Sequence, residues 1–186
     1  MGAEKDAWRV RARGLRAAMP AQDRAEASRH VVRRVLALPE VGAARAVHVF
    51  WPLPGEVDLR PLIDALAGRG VTVALPVVVG PRALAHRQYV GAEALVEGPW
   101  GLREPGPDAA DVDPAALDVV LVPGLAFGRD GSRLGAGGGY YDAFLLGTPA
   151  LRVGVCVAAA LADAVPTEPH DVPVDVVVTD AETVRV

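Results

Sequence analysis

The stretch "SRLGAGGGYYD", residues 132–142, holds the residue types best suited to binding an anion. Glycine can adopt positive φ and lets backbone N–H groups approach a phosphate closely. Arg133 can offer a two-pronged hydrogen bond to phosphate, and Asp142 carries the carboxylate oxygens that Mg²⁺ prefers. Glycine content alone favours a plain turn, because the stretch lacks both the GK[ST] of a P-loop and the spacing of a dinucleotide fingerprint. The flanking arginine and aspartate shift the balance towards a phosphate cradle.

A second basic pair lies near the N-terminus. Lys5 and Arg9 are spaced i, i+4, so they share one face if this segment is helical. Lys5 is also the only lysine among the 19 basic residues. Two interpretations are open: a solvated helix face, which is the usual fate of such charges, or a clamp for a polyphosphate.

Composition limits the classes of partner. The 186 residues are 51% hydrophobic, which allows a sizeable core in one domain, and the net charge of −4 gives no general attraction to nucleic acid or to an anionic membrane. The only cysteine, Cys156, excludes a disulfide framework and a CxxC motif, and we expect it to be a buried, inert thiol. The charged N-terminus lacks the apolar core of a signal peptide, and no apolar run approaches the roughly 20 residues of a membrane span. We therefore expect a cytoplasmic protein without nucleic-acid or membrane partners.

Hydrophobic patterning and chain breakers predict alternating helices and strands. Predicted helices cover 3–19, 20–38, 58–70 and 140–146, and predicted strands cover 45–51, 71–79, 83–90, 117–127, 151–157 and 174–180. The region 91–117 is predicted to be mostly loop. This order indicates one α/β domain over residues 1–186, with three layers, a mostly parallel sheet and helices on both faces. The glycine stretch follows the predicted central strand 117–127, at the edge where open α/β sheets bind ligands.

The longer segment "VPGLAFGRDGSRLGAGGGYYDAFL", residues 122–145, resembles the 5-formyltetrahydrofolate cyclo-ligase family, also called 5,10-methenyltetrahydrofolate synthetases. Four other segments resemble family motifs in the same order along nearly the whole chain: "KDAWR" (5–9), "WPLPGEVD" (51–58), "PWGLREP" (99–105) and "EPHDVPVD" (168–175). The resemblance implies a Rossmann-like fold of the kind seen in sugar-phosphate isomerases and CoA-transferases. It also implies a monomer or weak homodimer that acts on ATP and a reduced folate, with Mg²⁺ as cofactor.

The implied reaction is an ATP-dependent ring closure. ATP phosphorylates the formyl oxygen of 5-formyltetrahydrofolate, N10 attacks the formyl carbon, and phosphate leaves to give 5,10-methenyltetrahydrofolate. The formyl group is an amide, so its oxygen is a poor leaving group until it is phosphorylated. Such a reaction asks the protein mainly for positioning and charge neutralisation, which suits arginines, a lysine and glycine amides.

The resemblance also implies roles for individual residues. Catalytic roles fall to Lys5, Arg133 and Tyr140. The residues implied to bind ATP are Lys5, Arg9, Arg133, Leu134, Gly135, Ala136, Gly137, Gly138, Gly139, Tyr140 and Tyr141. Those implied to bind the folate are Trp51, Glu56, Trp100 and Tyr140, and those implied to hold Mg²⁺ are Asp142 and Asp171, with Asp175 as the alternative. Ala136, Val157 and Ala160 depart from the family pattern, so we expect fewer polar side-chain contacts from these positions.

Two other functions remain open at this point. A sugar-phosphate isomerase or CoA-transferase-like enzyme also has glycine-rich turns after strands, although an isomerase has no need of a triphosphate clamp such as Lys5 and Arg9. A non-catalytic metabolite-binding domain is the second alternative. Such domains usually accompany a DNA-binding module, for which this sequence offers no basic helix-turn-helix pattern.

Overall fold

The computed structural model describes residues 2–186, and within them the chain forms five α-helices and twelve strands. The helices are α1 (Gly2–Ala18), α2 (Ala21–Leu36), α3 (Pro39–Ala43), α4 (Arg60–Gly68) and α5 (Tyr140–Leu145). The strands are β1 (Ala46–His48), β2 (Thr72–Gly80), β3 (Ala83–Gln88), β4 (Leu95–Glu97), β5 (Arg103–Pro105), β6 (Val119–Val122), β7 (Ala126–Gly128), β8 (Arg133–Leu134), β9 (Leu151–Val155), β10 (Leu161–Ala162), β11 (Val176–Val178) and β12 (Thr183–Arg185). Helix α1 precedes the first strand and reaches the site described below.

Seven strands form the central sheet in the order β12-β11-β9-β6-β1-β2-β3. The five inner strands pair in parallel, and an antiparallel strand closes each edge. The chain runs from β1 to β2 towards one edge but from β6 to β9 and β11 towards the other. The sheet therefore has a topological switch between β1 and β6, and ligands bind at such switches, beyond the carboxyl ends of the strands.

Strand β6 shows why this sheet is covered on both faces. Val119 and Leu121 pack into one core with α2, α3 and α4, whereas Val120 and Val122 pack into a second core with α5 and β7. Successive side chains of a strand point to opposite faces, so a continuous apolar run is required where both faces are buried. The expected α/β class, with a mostly parallel sheet and helices on both faces, is confirmed.

The predicted strand 117–127 is wrong as a single element. Strand β6 ends at Val122, and β7 belongs to a separate three-stranded sheet of order β10-β7-β8. Pro123 and Gly124 separate the two: proline has no N–H to donate to a ladder, and a Cβ at Gly124 would lie 2.6 Å from the ring of Phe127. The glycine stretch consequently begins in β8 and does not leave the central sheet directly.

Other differences concern short elements. The predicted strands 45–51 and 174–180 shrink to three residues each, Ala46–His48 and Val176–Val178. The region 91–117 contains the antiparallel pair β4–β5 as well as loop, and the edge strand β12 was not predicted. No helix in the part of the chain that the structure describes is long and apolar enough to cross a membrane.

Candidate functional site

A pocket lies beyond the carboxyl ends of β1, β6 and β9, on both sides of the topological switch. Segments that follow these strands form its walls, and α1 covers it. The lining residues are Ala12, Leu15, Arg16, Met19, Phe50, Gly55, Glu56, Val57, Gly124, Leu125, Val155, Cys156, Val157 and Ala160. The cavity volume is about 40 Å³, and a water needs roughly 10–15 Å³, so only a few waters fit while α1 is in place.

Glu56 is the acidic group of this pocket, and its carboxylate is held from two sides. Oε1 accepts a hydrogen bond from Nη1 of Arg16 at 3.2 Å, and Oε2 accepts from the backbone N–H of Leu53 at 3.0 Å. Arg16 also donates from Nη2 to the carbonyl oxygen of Gly124 at 3.2 Å. The carboxylate therefore has a fixed orientation, and its charged partner is carried by α1.

The glycine loop, residues 135–139, connects β8 to α5. Gly137 has φ 107° and Gly139 has φ 70°, both in the region that favours glycine. A Cβ at Gly137 would lie 3.5 Å from the guanidinium carbon of Arg9, and one at Gly139 would lie 3.2 Å from Nε of Arg82. Two arginine side chains thus lie directly against a loop whose glycines leave the backbone exposed, as in anion-binding loops.

Arg133 is buried beneath the loop and pairs with the predicted metal ligand Asp142. Its Nη2 donates to Oδ1 of Asp142, and its Nη1 donates to the carbonyl oxygen of Pro123 at 3.4 Å. The backbone N–H of Val172 also donates to Oδ1 of Asp142, at 3.2 Å. Within residues 2–186, the buried Nε of Arg133 has no hydrogen-bond partner. Leu134, the next residue, turns its side chain into the core, so only its backbone is available to a ligand.

Lys5 lies among acidic groups of the C-terminal segment. Its Nζ donates to Oε2 of Glu168 at 2.8 Å and to Oδ2 of Asp171 at 2.5 Å. Burial lowers the pKa of Lys5, but the bonds to the two carboxylates outweigh burial and leave the pKa above its usual value. The hydrogen bond from Lys5 lowers the pKa of Glu168. Burial raises the pKa of Asp171, but the hydrogen bonds that Asp171 accepts from Lys5 and from the backbone N–H of Glu168 outweigh burial and leave its pKa lowered. Glu168, His170 and Asp171 could each direct one ligand atom to within 4.8 Å of the others.

Helix α1 presents a row of cations to this region. Arg9 donates from Nε to the carbonyl oxygen of Gly135 at 3.2 Å, and Arg13 donates from Nη2 to that of Ala136 at 3.4 Å. Lys5 and Arg16 continue the row on either side. Lys5 and Arg9 do share one helix face, and that face is turned towards the loop and the acidic groups, not towards solvent.

The predicted aromatic residues separate into two places. Trp51 packs against the core, with its ring 6.2 Å from that of Tyr89, and it does not line the pocket, where Phe50 supplies the apolar wall. Trp100 is 70% exposed, has φ 59°, and places its ring edge-on to Tyr140 at 5.9 Å. Trp100 and Tyr140 therefore come together beside the loop, and Trp51 stands apart from them.

Comparison with known proteins places the chain in a family. Residues 1–180 match the model of the 5-formyltetrahydrofolate cyclo-ligase family. The chain belongs to the 5-formyltetrahydrofolate cyclo-ligase family. It is 34% identical over 176 residues to 5-formyltetrahydrofolate cyclo-ligase of Escherichia coli K12, covering 91% of this chain and 97% of that protein.

Solved structures agree with membership of the cyclo-ligase family. The NMR structure of Aquifex aeolicus 5,10-methenyltetrahydrofolate synthetase matches with a TM-score of 0.88 and 32% identity, covering 97% of this chain and 92% of that one. The structure of a Mycoplasma pneumoniae 5,10-methenyltetrahydrofolate synthetase matches with a TM-score of 0.78 at 19% identity, covering 95% and 99%, which shows a common fold. The resemblance seen in the sequence and the enzyme class that it implies, a cyclo-ligase of folate one-carbon metabolism, are confirmed.

Four polar residues of this cyclo-ligase site were missed in the sequence. Arg13 and Arg16 continue the helical spacing of Lys5 and Arg9, and Glu168 stands within the quoted "EPHDVPVD", so these three had a signal. Arg82 had none, because its position depends on how the turn between β2 and β3 meets the glycine loop. Asp175 does not join the acidic group; its Oδ2 accepts from the backbone N–H of Arg152 at 2.8 Å.

Cys156 agrees with expectation. It is buried at the base of the pocket, and burial raises the pKa of its thiol to about 12. A thiol with such a pKa is protonated at neutral pH and is a poor nucleophile.

Proposed function

We propose that this protein, as a single domain of residues 1–186, closes the ring of 5-formyltetrahydrofolate to 5,10-methenyltetrahydrofolate with release of ADP and phosphate. One observation carries the proposal: helix α1 contacts both Glu56 of the pocket, through Arg16, and the glycine loop, through Arg9 and Arg13. The first site suits a ligand with N–H donors, and the second suits a polyphosphate. Membership of the cyclo-ligase family supports this pairing of substrates.

The chemistry proceeds in two displacements. The formyl oxygen attacks the γ-phosphorus of ATP and displaces ADP. N10 then attacks the formyl carbon and loses its proton, and phosphate leaves with the former formyl oxygen. The protein contributes by holding the two substrates in line and by neutralising phosphate charge.

The unpartnered Nε of Arg133 supports a phosphate role for the loop. A buried donor without an acceptor costs about 1–3 kcal/mol, and few remain in native structures unless they have a role. A phosphate oxygen would supply the acceptor. Arg9 and Arg13 now donate to neutral carbonyl oxygens of the loop, and bonds to a charged phosphate are stronger, so we propose that they turn to ATP when it binds. Lys5 joins them at the phosphates.

The folate is proposed to bind through Glu56. A carboxylate that accepts two hydrogen bonds can receive the neighbouring N–H donors of a pterin, and Arg16 would then be released. We propose that α1 moves when the folate enters, because α1 lines this narrow cavity and its Arg16 pairs with Glu56. Trp100 and Tyr140, which already touch, would cover the opening.

The carboxylates beside the loop support a proposed magnesium site. Asp142, Asp171 and Glu168 offer carboxylate oxygens, the donors that Mg²⁺ prefers, and two of them already hold the cationic Nζ of Lys5. We propose that Asp142 and Asp171 hold Mg²⁺ together with the nucleotide. When bound, the ion would neutralise negative charge on the phosphates.

The test is the formation of methenyltetrahydrofolate by the purified protein, followed by its absorbance. We expect product only when ATP and 5-formyltetrahydrofolate are both present, with loss of activity when a chelator removes Mg²⁺. ATP hydrolysis that is indifferent to the folate would point to a different phosphate-using enzyme. Binding of both compounds without turnover would point to a metabolite-binding domain.

A further inference from the structure

Arg82 lies at the tip of the hairpin between β2 and β3. The pairing of Gly80 with Ala83 leaves Pro81 and Arg82 as the two residues of the turn, and Arg82 has φ 55°. A proline followed by a residue of positive φ is the pattern of a type II turn, in which glycine or asparagine usually takes the position of Arg82. A Cβ at positive φ costs free energy that glycine avoids, so the turn itself would be more stable with glycine.

The strained backbone occurs at one corner of the candidate site. Within residues 2–186, the non-glycine residues with positive φ are Arg82 and Trp100, the latter at 59°. Arg82 lies against Gly139, and the ring of Trp100 lies 5.9 Å from that of Tyr140, the next residue. Strained residues cluster at ligand sites, where the position of the side chain matters more than the cost to the backbone. Two of them against adjacent positions of one loop therefore indicate a ligand beside that loop.

The side chain of Arg82 runs along the backbone of Gly139. From the position that a Cβ would take on Gly139, Nε of Arg82 is 3.2 Å away and its guanidinium carbon is 3.5 Å away. The other arginines at the loop, Arg9, Arg13 and Arg133, donate to acceptors of the protein. Among residues 2–186, the exposed guanidinium of Arg82 finds no such acceptor. Its donors are therefore available to a ligand at the loop.

The glycine loop has no cation of its own. Residues 134–139 read LGAGGG, so the loop offers backbone N–H groups and no charged side chain. The charge of a polyphosphate must then be neutralised by side chains of other elements. Arg9 and Arg13 belong to α1, whereas Arg82 belongs to a hairpin whose strand β2 pairs with β1 in the central sheet. The position of Arg82 consequently does not depend on the docking of α1.

We propose that Arg82 binds a phosphate oxygen of ATP from the hairpin side of the glycine loop, as a cation held in place by the sheet while those of α1 move. This role rests on the proposed function, because ATP is the substrate that brings a polyphosphate to the loop. A guanidinium offers several N–H donors in a planar fork that matches the oxygens of a phosphate. The cost of positive φ in the turn is offset when the phosphate accepts these donors.

The test uses two substitutions that act alike on the ligand but differently on the turn. Arg82→Gly and Arg82→Ala both remove the guanidinium, but Gly relieves the positive φ and Ala keeps a Cβ there. We therefore expect a higher urea midpoint of unfolding for Arg82→Gly than for Arg82→Ala. Arg29→Ala is the matched control, because it removes one charge from the exposed face of α2.

The measurement is the Kd of ATP, titrated by calorimetry in the presence of Mg²⁺ and without the folate. We expect this Kd to rise at least about tenfold, and equally, in Arg82→Gly and Arg82→Ala, and to stay within about twofold of wild type in Arg29→Ala. Inorganic triphosphate, which has no base or ribose, should lose affinity by the same factor as ATP. The KM for 5-formyltetrahydrofolate should change less than about twofold.

Three results would overturn the role of Arg82. The first is an ATP Kd in Arg82→Gly equal to that of Arg29→Ala, and the second is a loss of affinity for ATP that triphosphate does not share. The third is a rise confined to the KM of the folate, which would assign the guanidinium to the carboxylates of the folate tail.

The titration also separates this role from the proposed function. Wild-type protein that binds ATP but forms no methenyltetrahydrofolate would contradict the proposed function, and the Kd values would still decide the role of Arg82. Normal methenyl formation with an unchanged ATP Kd in Arg82→Gly would contradict the role of Arg82 alone. Wild-type protein that binds no ATP would contradict both.

Discussion

At the scale of single residues, the site is built from charges that the fold has partly desolvated. Lys5 donates to two carboxylates, and Arg133 keeps one unpartnered donor beneath the glycine loop. Residue type and position favoured a phosphate role for Arg133, whereas for Lys5 they left both a solvated helix face and a polyphosphate clamp open. Their present partners could not, since the contact of Lys5 with Glu168 joins positions 163 residues apart.

Replacing Lys5 by Ala tests the cation at the start of α1. We expect the KM for ATP to rise at least tenfold, while the KM for the folate changes less than about threefold, because Lys5 faces the phosphate side only. Arg11→Ala is the matched control, since it removes one charge from the exposed face of the same helix. Initial rates at varied ATP and folate measure both constants. An ATP KM that is the same in Lys5→Ala and Arg11→Ala would leave Lys5 with a structural role.

At the scale of elements, α1 is attached mainly through polar contacts. Of its apolar side chains only Ala12 is buried and Trp8 partly buried in the adjoining core, whereas its cations contact the loop, the acidic group and Glu56. Its helical nature and its basic face were predictable from spacing. Its docking was not, because that depends on acceptors supplied by distant loops. An element attached by charged contacts to the ligand-binding groups can move when ligands replace those contacts.

The docking of α1 should depend on pH in a definite direction. Despite the burial of Asp171, the pKa values of Glu168 and Asp171 are lowered by their bonds to Lys5. Their contribution to the docking of α1 is therefore present above the ordinary pKa values of 4.5 and 3.8, and it is lost as the pH falls through the lowered pKa values. The raised pKa of Lys5 means that its contribution is present below 10.5 and is lost as pH rises through the raised one. Amide hydrogen exchange, corrected for intrinsic rates, should therefore show α1 losing protection before α2 does as the pH falls below these ordinary carboxylate values. Equal loss of protection in both helices would contradict this account of how α1 is attached.

The backbone conformation of the glycine loop requires glycine at particular positions. Gly139→Ala places a Cβ at φ 70° and 3.2 Å from Nε of Arg82, so we expect the free energy of unfolding to fall by about 1–2 kcal/mol and the KM for ATP to rise. Gly14→Ala, within α1 and with no atom within 4 Å of the added Cβ, should instead be stabilising by up to about 1 kcal/mol. Denaturant titration measures both. If the free energy of unfolding were unchanged in Gly139→Ala, the loop would be shown to accommodate the Cβ without strain.

At the scale of the whole molecule, the parallel sheet was predictable because continuous apolar runs separated by helices have few other solutions. The features that could not be predicted from the sequence depend on pairing between distant strands. The break at Pro123 and Gly124 sends the chain into a second sheet, and the meeting of His48 with His86 requires the register of β2 between them. Neither local propensity nor hydrophobic period contains that information.

The buried histidine pair should make the fold acid-sensitive above the range where the carboxylates titrate. Both folded-state pKa values lie below the ordinary 6.5, so the unfolded chain binds more protons as pH falls below 6.5. Their contribution is complete above that pH, and stability falls by about 1.4 kcal/mol per pH unit for each histidine that stays neutral in the folded state. Denaturant titrations at pH 7 and pH 5 should show this loss, and His86→Phe should reduce it. A His86→Phe variant with an unchanged loss between the two pH values would contradict the assignment.

The most direct test of the proposed reaction follows the formyl oxygen. If 5-formyltetrahydrofolate carries ¹⁸O in its formyl group, the account predicts one ¹⁸O atom in the phosphate released for each methenyltetrahydrofolate formed, because ATP phosphorylates that oxygen and N10 displaces it. Mass spectrometry of the phosphate measures the label directly. Methenyltetrahydrofolate formed with unlabelled phosphate, or without release of phosphate, would contradict the account.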